Sequence, residues 1–99
     1  MAYLIEFAES VREQIKELPA YQRALVLETI EKQLLYEPLI ETKNRKPLRP
    51  NPIAPWELRI GQIRVFYDIN DEEPEVVRIL AIGEKKGNTL LISGQKVSL

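Results

Sequence analysis

The alternation of apolar and polar positions at the start of the chain predicts a strand. Between residues 2 and 7, the apolar residues Tyr3, Ile5 and Phe7 alternate with Leu4 and Glu6. This is the period of two that a strand with one buried face requires. We therefore expect residues 2–7 to form the first strand.

Apolar residues at helical spacing follow this strand. Val11, Ile15 and Leu18 recur at intervals of four and three residues, which predicts a short amphipathic helix. Ser10 is available as its N-cap. Pro19 interrupts the pattern, so this helix is expected to end before it.

A second apolar stripe predicts a second helix. Its members are Val26, Leu27, Ile30 and Leu34. The stripe ends near Glu37 and Pro38, where the residue before proline is pushed out of the helical region. Two consecutive helices joined by a tight turn indicate a helical hairpin.

The next stretch, residues 38–55, is rich in proline and in basic residues. Its prolines are Pro38, Pro47, Pro50, Pro52 and Pro55, and its basic residues are Lys43, Arg45, Lys46 and Arg49. Proline lacks a backbone donor and resists both helix and central strand. We therefore expect an extended, exposed loop.

Strand patterns dominate the rest of the chain. Residues 56–60 and 63–69 alternate apolar and polar positions on either side of Gly61-Gln62, which predicts a hairpin with glycine first in the turn. A polar turn at residues 71–74 precedes the apolar, β-branched run 76–82, typical of a buried strand. Residues 89–92 fit a further short strand that Gly94 would end.

These elements predict a single α+β domain over residues 1–99. The order β-α-α-β-β-β places the helical hairpin on one face of a small antiparallel sheet and leaves the other face open. A chain of 99 residues has no room for a second independent core.

Side-chain alternation directs basic residues to the open face. Arg59 and Arg64 alternate with apolar neighbours in the two strands of the hairpin, so both are expected on the face opposite to the helices, where Arg78 could join them. Alternatively, the two arginines pair with nearby carboxylates on a solvated face, and such pairs contribute little. Trp56 and Tyr67 follow the apolar alternation and are expected in the core.

Composition restricts the chemistry available to the chain. It contains no cysteine and no histidine, which excludes disulfides, thiolate nucleophiles, histidine bases and most zinc sites. Any catalysis must use Arg, Lys, Tyr, Asp or Glu. The net charge of −1 is unevenly distributed: residues 1–41 are acidic and residues 42–70 are basic. Since no apolar run could span a membrane and no leader pattern is present, we expect a cytoplasmic protein.

Three sequence segments carry a resemblance to a known family. They are Trp-Glu-Leu-Arg-Ile-Gly at residues 56–61, Ile-Arg-Val-Phe-Tyr-Asp at residues 63–68, and Ile-Leu-Ala-Ile-Gly at residues 79–83. With the β-α-α-β-β-β order and the Leu18-Pro19 helix break, they resemble the RelE/ParE superfamily of type II toxin-antitoxin toxins. The resemblance implies two helices on a small antiparallel sheet and a cognate antitoxin that wraps the toxin.

For the RelE branch, the resemblance also implies cleavage of messenger RNA in the decoding site of the ribosome. Basic residues of the sheet bind phosphate there and stabilise the phosphorane that forms when the 2'-hydroxyl attacks, without a metal or a small-molecule cofactor. Arg59 and Arg64 match the family's basic positions, and Lys85 or Lys86 lies near a third, so the catalytic candidates are Arg59, Arg64 and Lys85. The candidates for further RNA contacts are Lys43, Arg45, Lys46, Arg49, Arg78 and Lys86.

The chain departs from the family pattern at two places. Active members often carry a histidine or arginine just after the position of Gly83 and a tyrosine further on, both missing here. Glu57 occupies a position that tends to be basic, and it would repel phosphate. Losing a general acid or base lowers a rate by about 10²- to 10⁴-fold, so weak cleavage is expected.

Three functions therefore stay open. The first is a ribosome-dependent endoribonuclease, and the second is a non-enzymatic inhibitor of DNA gyrase, as in the ParE branch. The third is a degenerate toxin that mainly binds its antitoxin and operator DNA. Expected partners are the antitoxin and, for the first function, the ribosome and messenger RNA, with no membrane partner. The acidic helices, the proline-rich loop and the open sheet face are candidate antitoxin contacts.

Overall fold

The computed structural model describes residues 2–99 and contains two helices and seven strands within that range. In chain order they are β1 (Leu4–Phe7), α1 (Glu9–Lys16), α2 (Ala20–Leu34), β2 (Arg45–Pro47), β3 (Trp56–Ile60), β4 (Ile63–Asn70), β5 (Val76–Lys86), β6 (Thr89–Ile92) and β7 (Gln95–Val97). The predicted α+β class, with a helical hairpin on one face of a sheet, is confirmed. Within residues 2–99, neither helix is long and apolar enough to cross a membrane.

One sheet contains all seven strands. Six of them follow the order β2-β3-β4-β5-β6-β7 with antiparallel neighbours, and β1 joins β5 in parallel. The sheet is therefore antiparallel except at β1, where the helical hairpin provides the crossover that a parallel pair needs.

Three elements share the edge of β5 that does not pair with β4. β1 pairs with residues 76–79 and β6 with residues 84–86. Between them, Gln14 of α1 accepts a hydrogen bond from the backbone N of Ile82 at 2.7 Å. Ala8 donates its backbone N–H to the carbonyl of Ile79 at 2.9 Å. These contacts fasten the start of the helical layer to the central strand.

The main core lies between the helices and the sheet. Its fully buried members include Val11, Val26, Ile30, Leu34, Leu58, Val65, Tyr67, Val77 and Ile79. The helical stripes and the strand alternation predicted from the sequence both contribute to it. The predicted N-cap at Ser10 is wrong, because α1 already begins at Glu9 with Ala8 as its N-cap and no side-chain cap.

A β-bulge gives the sheet a second apolar cluster on the other face. Phe66 pairs with Ala81 and Tyr67 pairs with Ile79, so Leu80 is an extra residue in β5. The bulge shifts the alternation, and Ala81 faces away from the helices together with Phe66. The remaining members of this cluster are Ala54, Leu90, Leu48, Ile53, Leu80, Ile92 and Val97. The face predicted to be open is therefore partly covered.

The proline-rich loop is more ordered than its composition predicts. The side chain of Tyr67 donates its hydroxyl to the carbonyl of Pro38, which is buried. Arg45 is only 8% exposed and begins β2, which pairs with β3. The expectation of an exposed loop is wrong at these positions, since the loop uses its polar groups to fasten itself to the domain.

Candidate functional site

The candidate site lies on the face of the sheet opposite to the helices, which we call the distal face. Arg59 of β3 is directly opposite Arg64 of β4, and Arg64 is opposite Gly83 of β5. Lys85 follows Gly83 by two residues and so faces the same side. The predicted catalytic set, Arg59, Arg64 and Lys85, is therefore brought together on adjacent strands.

Glu57 lies between the two arginines. Arg59 donates from Nε to Glu57 Oε2 at 2.9 Å, and Arg64 Nε lies 3.9 Å from Glu57 Oε1. The side chain of Glu57 is only 8% exposed. A buried carboxylate is costly unless it is paired, so the two guanidinium groups stabilise Glu57 in this position.

The two arginines differ in which of their guanidinium donors remain free of hydrogen bonds. Arg64 donates from Nη1 to the carbonyls of Gly61 and Ile63 at 2.7 and 3.0 Å, and its side chain is 14% exposed. The Arg59 side chain is 47% exposed, and its Nη groups have no hydrogen-bond partner among residues 2–99. Arg59 is therefore the more exposed arginine and has both Nη groups available for a ligand, while Nη1 of Arg64 is fixed to the β3–β4 turn.

Lys85 lines a cavity of about 280 Å³ on the distal face. The other lining residues are Glu57, Asn88, Leu90, Val97, Ser98 and Leu99. Lys85 takes part in none of the ion pairs found among residues 2–99. Its backbone N donates to the carbonyl of Gln62 at 2.7 Å, which fixes the strand beside the β3–β4 turn. The site thus has a second free cation.

The basic residues of the loop fall into two groups. Arg45 donates from Nη1 to the carbonyl and Oε1 of Gln33 and from Nε to the carbonyl of Ile40. This burial removes Arg45 from the side chains that can contact RNA. Lys43 and Arg49 are exposed. The partly buried Lys46 pairs with Glu41 at 3.4 Å.

Arg78 and Lys86 lie apart from the three catalytic candidates. Arg78 is opposite Asp68 near the other end of β4 and pairs with Glu6 of β1 at 2.5 Å. Lys86 pairs with Glu84 at 3.7 Å and lines a separate cleft beside α1. Strand alternation therefore sends Lys85 and Lys86 to opposite faces.

Sequence reasoning did not find the residues that complete this site. Asn88, Leu90 and Val97 line the cavity only because β6 folds back along β5 and β7 then folds back along β6. The polar spacing of Glu57 and Arg59 indicated that they share a face, but the burial of Glu57 depends on strands distant in sequence. Neither feature has a local signal.

The arrangement can bind an anion and stabilise developing negative charge. Free guanidinium and ammonium donors suit phosphate oxygens, and donors on a rigid sheet need little reorganisation. Proton transfer is less well provided for, since the chain has no histidine. Two of its tyrosines pack in the core and two lie in or just after α2: Tyr3, Tyr67, Tyr21 and Tyr36.

Comparison with known proteins identifies the class of this fold. The family model described as the ParE toxin of type II toxin-antitoxin system, parDE, matches residues 5–88. A chain of the crystal structure of the toxin-antitoxin complex RelBE2 from Mycobacterium tuberculosis is similar, with a TM-score of 0.73 and 30% sequence identity. The match covers 86% of this chain and 93% of that chain. Comparison with curated proteins gives no match.

These similarities extend through the candidate site, since residues 57–85 lie within the matched range. The fold is that of a toxin of the RelE/ParE superfamily. The chain belongs to the ParE toxin family of type II toxin-antitoxin systems.

Proposed function

We propose that this toxin binds the phosphate backbone of messenger RNA on its distal face and cleaves the RNA slowly in the decoding site of the ribosome. The observation that carries the proposal is Arg59, whose Nη groups are free while its Nε is fixed by Glu57. Lys85 adds an unpaired cation on the same face. The proposal places the protein in the cytoplasm with translating ribosomes.

The chemistry proposed for the site is electrostatic. Arg59 and Lys85 contact the scissile phosphate, and Arg64 supports Arg59 from the β3–β4 turn. The 2'-hydroxyl attacks the phosphorus, the bond from phosphorus to the 5'-oxygen breaks, and water takes up the 2'-hydroxyl proton and supplies one to the leaving 5'-oxygen. Together the three side chains stabilise the negative charge of the phosphorane that forms between these steps. Because a general acid or base contributes about 10²- to 10⁴-fold, cleavage is expected to be slow without one. Exposed Lys43 and Arg49, with the paired Lys46 and Arg78, extend the proposed RNA contacts, whereas Lys86 lies on the other face of the sheet and is left out of them.

A second candidate function is inhibition of DNA gyrase by binding. The observation that favours it is the position of Glu57, whose buried carboxylate offsets part of the positive charge of both arginines. A site that neutralises its own cations is less suited to phosphate chemistry than to recognition of a protein surface.

The proposed partner in the cell is a cognate antitoxin. Its contact surface would use apolar side chains that a small domain otherwise keeps from water. Several such side chains lie along α2 and the segment that follows it: Tyr21, Leu25, Leu27, Tyr36, Leu39 and Ile40. The RelBE2 chain that this protein resembles comes from a toxin-antitoxin complex, which supports the proposal.

Induced expression separates these functions. We expect growth arrest with cleaved transcripts from the native sequence and no arrest from the double variant Arg59→Ala, Arg64→Ala. Transcript ends are mapped by primer extension, and Arg12→Ala, Lys16→Ala on the helical layer is the charge-matched control. The control variant should arrest growth as the native chain does.

Other outcomes count against RNA cleavage. Arrest with intact transcripts and DNA damage would favour the gyrase inhibitor, and absence of arrest would favour a degenerate toxin that only binds its antitoxin and operator DNA. If the folded Arg59→Ala, Arg64→Ala variant cleaves transcripts as well as the native chain does, the site assignment is wrong.

A further inference from the structure

A carboxylate occupies the centre of the basic cluster on the distal face. Arg59 and Arg64 are directly opposite each other on neighbouring strands, a position in which like charges repel. Glu57 precedes Arg59 by two residues, faces the same side and contacts both guanidinium groups. Its negative charge therefore stabilises the close approach of the two arginines.

We infer that Glu57 is a positioning residue, which holds Arg59 by its Nε group and so presents the remaining donors of Arg59 to a phosphate. This inference rests on the proposed function, because it assigns Glu57 to the same phosphate site. Glu57 does not itself contact the reacting atoms. Its effect on the substrate passes through Arg59.

The geometry of the contacts supports this role. Glu57 engages Arg59 through Nε, which leaves both Nη groups of that guanidinium free. A free arginine side chain loses rotamer freedom when it binds, and fixing it beforehand lowers that cost. In this ion pair, the buried carboxylate of Glu57 is fixed, and the guanidinium of Arg59 extends from it toward solvent.

The charge balance of the cluster is compatible with phosphate binding. Arg59, Arg64 and Lys85 outnumber the single carboxylate of Glu57, so the cluster keeps a positive charge. A neutral substitution of Glu57 should therefore have two opposite effects, one on the attraction of RNA and one on the positioning of Arg59. Replacing Glu57 by a neutral residue strengthens general attraction for RNA but releases Arg59 from its fixed geometry.

Kinetics on ribosomes programmed with messenger RNA separate these effects. We expect Glu57→Gln to lower kcat roughly 10- to 100-fold, because misplacement of a catalytic group by about 1 Å has an effect of this size. KM should stay unchanged or fall, owing to the added positive charge. Glu57→Asp, which keeps the charge, should retain more kcat than Glu57→Gln does.

Glu13→Gln is the matched control. Glu13 lies on α1, its ion pair with Lys16 is exposed, and the substitution changes the net charge by the same amount. Equal loss of kcat in Glu13→Gln and Glu57→Gln would overturn the inference. Thermal unfolding of each variant identifies any loss that arises only from a smaller folded fraction.

A second measurement does not depend on cleavage. In nitrogen-15 NMR spectra of the native protein, the Nε–H signal of Arg59 should be resolved and slow to exchange with water, because Glu57 accepts its hydrogen bond. Glu57→Gln should lose this protection at Arg59, whereas the Nη1 protons of Arg64, which bond to the carbonyls of Gly61 and Ile63, should stay protected. Titration with inorganic phosphate should perturb the Arg59 guanidinium signals, with an affinity at least about threefold weaker in Glu57→Gln.

These measurements distinguish the inference from the proposed function. If the native chain binds phosphate through Arg59 and Glu57→Gln weakens that binding, the inference holds even where no RNA is cleaved. If Glu57→Gln binds phosphate as well as or better than the native chain, or cleaves RNA at an equal or higher kcat, Glu57 opposes the anion and the inference is overturned. Absence of phosphate binding to the native chain at millimolar concentration would also overturn it.

Discussion

At the scale of single residues, Tyr67 connects the core to the proline-rich loop. Its ring packs against Trp56 with centroids 6.0 Å apart, and its hydroxyl donates to the carbonyl of Pro38 at 2.7 Å. Burial raises the pKa of the Tyr67 hydroxyl well above its usual value of about 10, because the anion would lose its hydration. Tyr67 therefore stabilises the fold only in its protonated form.

Replacing Tyr67 by phenylalanine should lower the free energy of unfolding by about 1 to 3 kcal/mol at neutral pH, since the buried carbonyl of Pro38 loses its donor. The measurement is urea denaturation followed by the fluorescence of Trp56. Tyr21→Phe is the matched control, because Tyr21 is 73% exposed and its hydroxyl should contribute little. A Tyr67→Phe variant as stable as Tyr21→Phe would contradict this role.

The same residue predicts an alkaline pH dependence. A folded-state pKa above the unfolded value means that the stabilisation is fully present below about pH 10 and is lost as the pH rises further. The native chain should therefore lose stability above pH 10, and Tyr67→Phe should lose less. Tyr3, whose pKa is raised by burial and by Glu75, accounts for part of the loss that remains.

Much of the residue-scale arrangement can be predicted from the sequence. The alternation in residues 56–69 correctly placed Arg59 and Arg64 on the face opposite to Leu58 and Val65. It could not predict that Glu57 would be buried, because burial on the distal face results from strands that follow much later. The alternation also could not predict the burial of Arg45, because the path of the loop determines which carbonyl groups its side chain reaches.

At the scale of elements, the proline-rich loop acts as a cover for the distal apolar cluster. Asn51 organises it: Nδ2 donates to the carbonyls of Arg49 and Ala54 at 2.7 and 2.8 Å, and Oδ1 accepts from the backbone N of Ile53 and of Ala54. One side chain thus replaces the regular hydrogen bonds that prolines prevent. Ala54 and Ile53 are then held against Phe66.

Asn51→Ala should loosen this loop while leaving the main core intact. Four hydrogen bonds are lost, and we expect a loss of about 1 to 3 kcal/mol in the free energy of unfolding. Hydrogen exchange should accelerate at the amides of Ile53 and Ala54 and stay unchanged at Val65. Asn88→Ala is the control, because it makes the same substitution in the β5–β6 turn and should leave the exchange at Ile53 and Ala54 unchanged. Unaltered exchange at Ile53 would show that Asn51 does not hold the loop.

The elements differ in how well local patterns predict them. The β3–β4 hairpin was predicted because its alternation is long and Gly61 takes the positive φ of the turn. The bulge at Leu80 and the short strands β2 and β7 were not. Each depends on pairing with a distant strand, and β2 and β7 are three residues long, too short for a periodic signal.

At the scale of the whole molecule, the two faces of the sheet differ in packing and in charge. The helical face buries the main core and carries the acidic half of the chain, whereas the distal face gathers Arg59, Arg64 and Lys85. The near-zero net charge of the chain conceals this separation. Electrostatic attraction of RNA depends on the local field of one face, and the total charge is a poor guide to it.

The family could be identified from the sequence because the order and spacing of its motifs extend over most of the chain, and the match to residues 5–88 confirms it. The cellular target of the toxin could not be identified from the sequence, since the fold and the class of partner do not determine the chemistry of a site. That chemistry depends on the donors left free around Glu57.

Cleavage of messenger RNA on purified ribosomes provides the decisive measurement. The native chain, added to ribosomes stalled with a defined codon in the decoding site, should cut the RNA within that codon without added metal beyond what the ribosome requires. Arg59→Ala, Arg64→Ala should lower the rate at least about 100-fold, and Arg12→Ala, Lys16→Ala should not. Intact RNA after prolonged incubation with the native, folded chain would contradict the proposal.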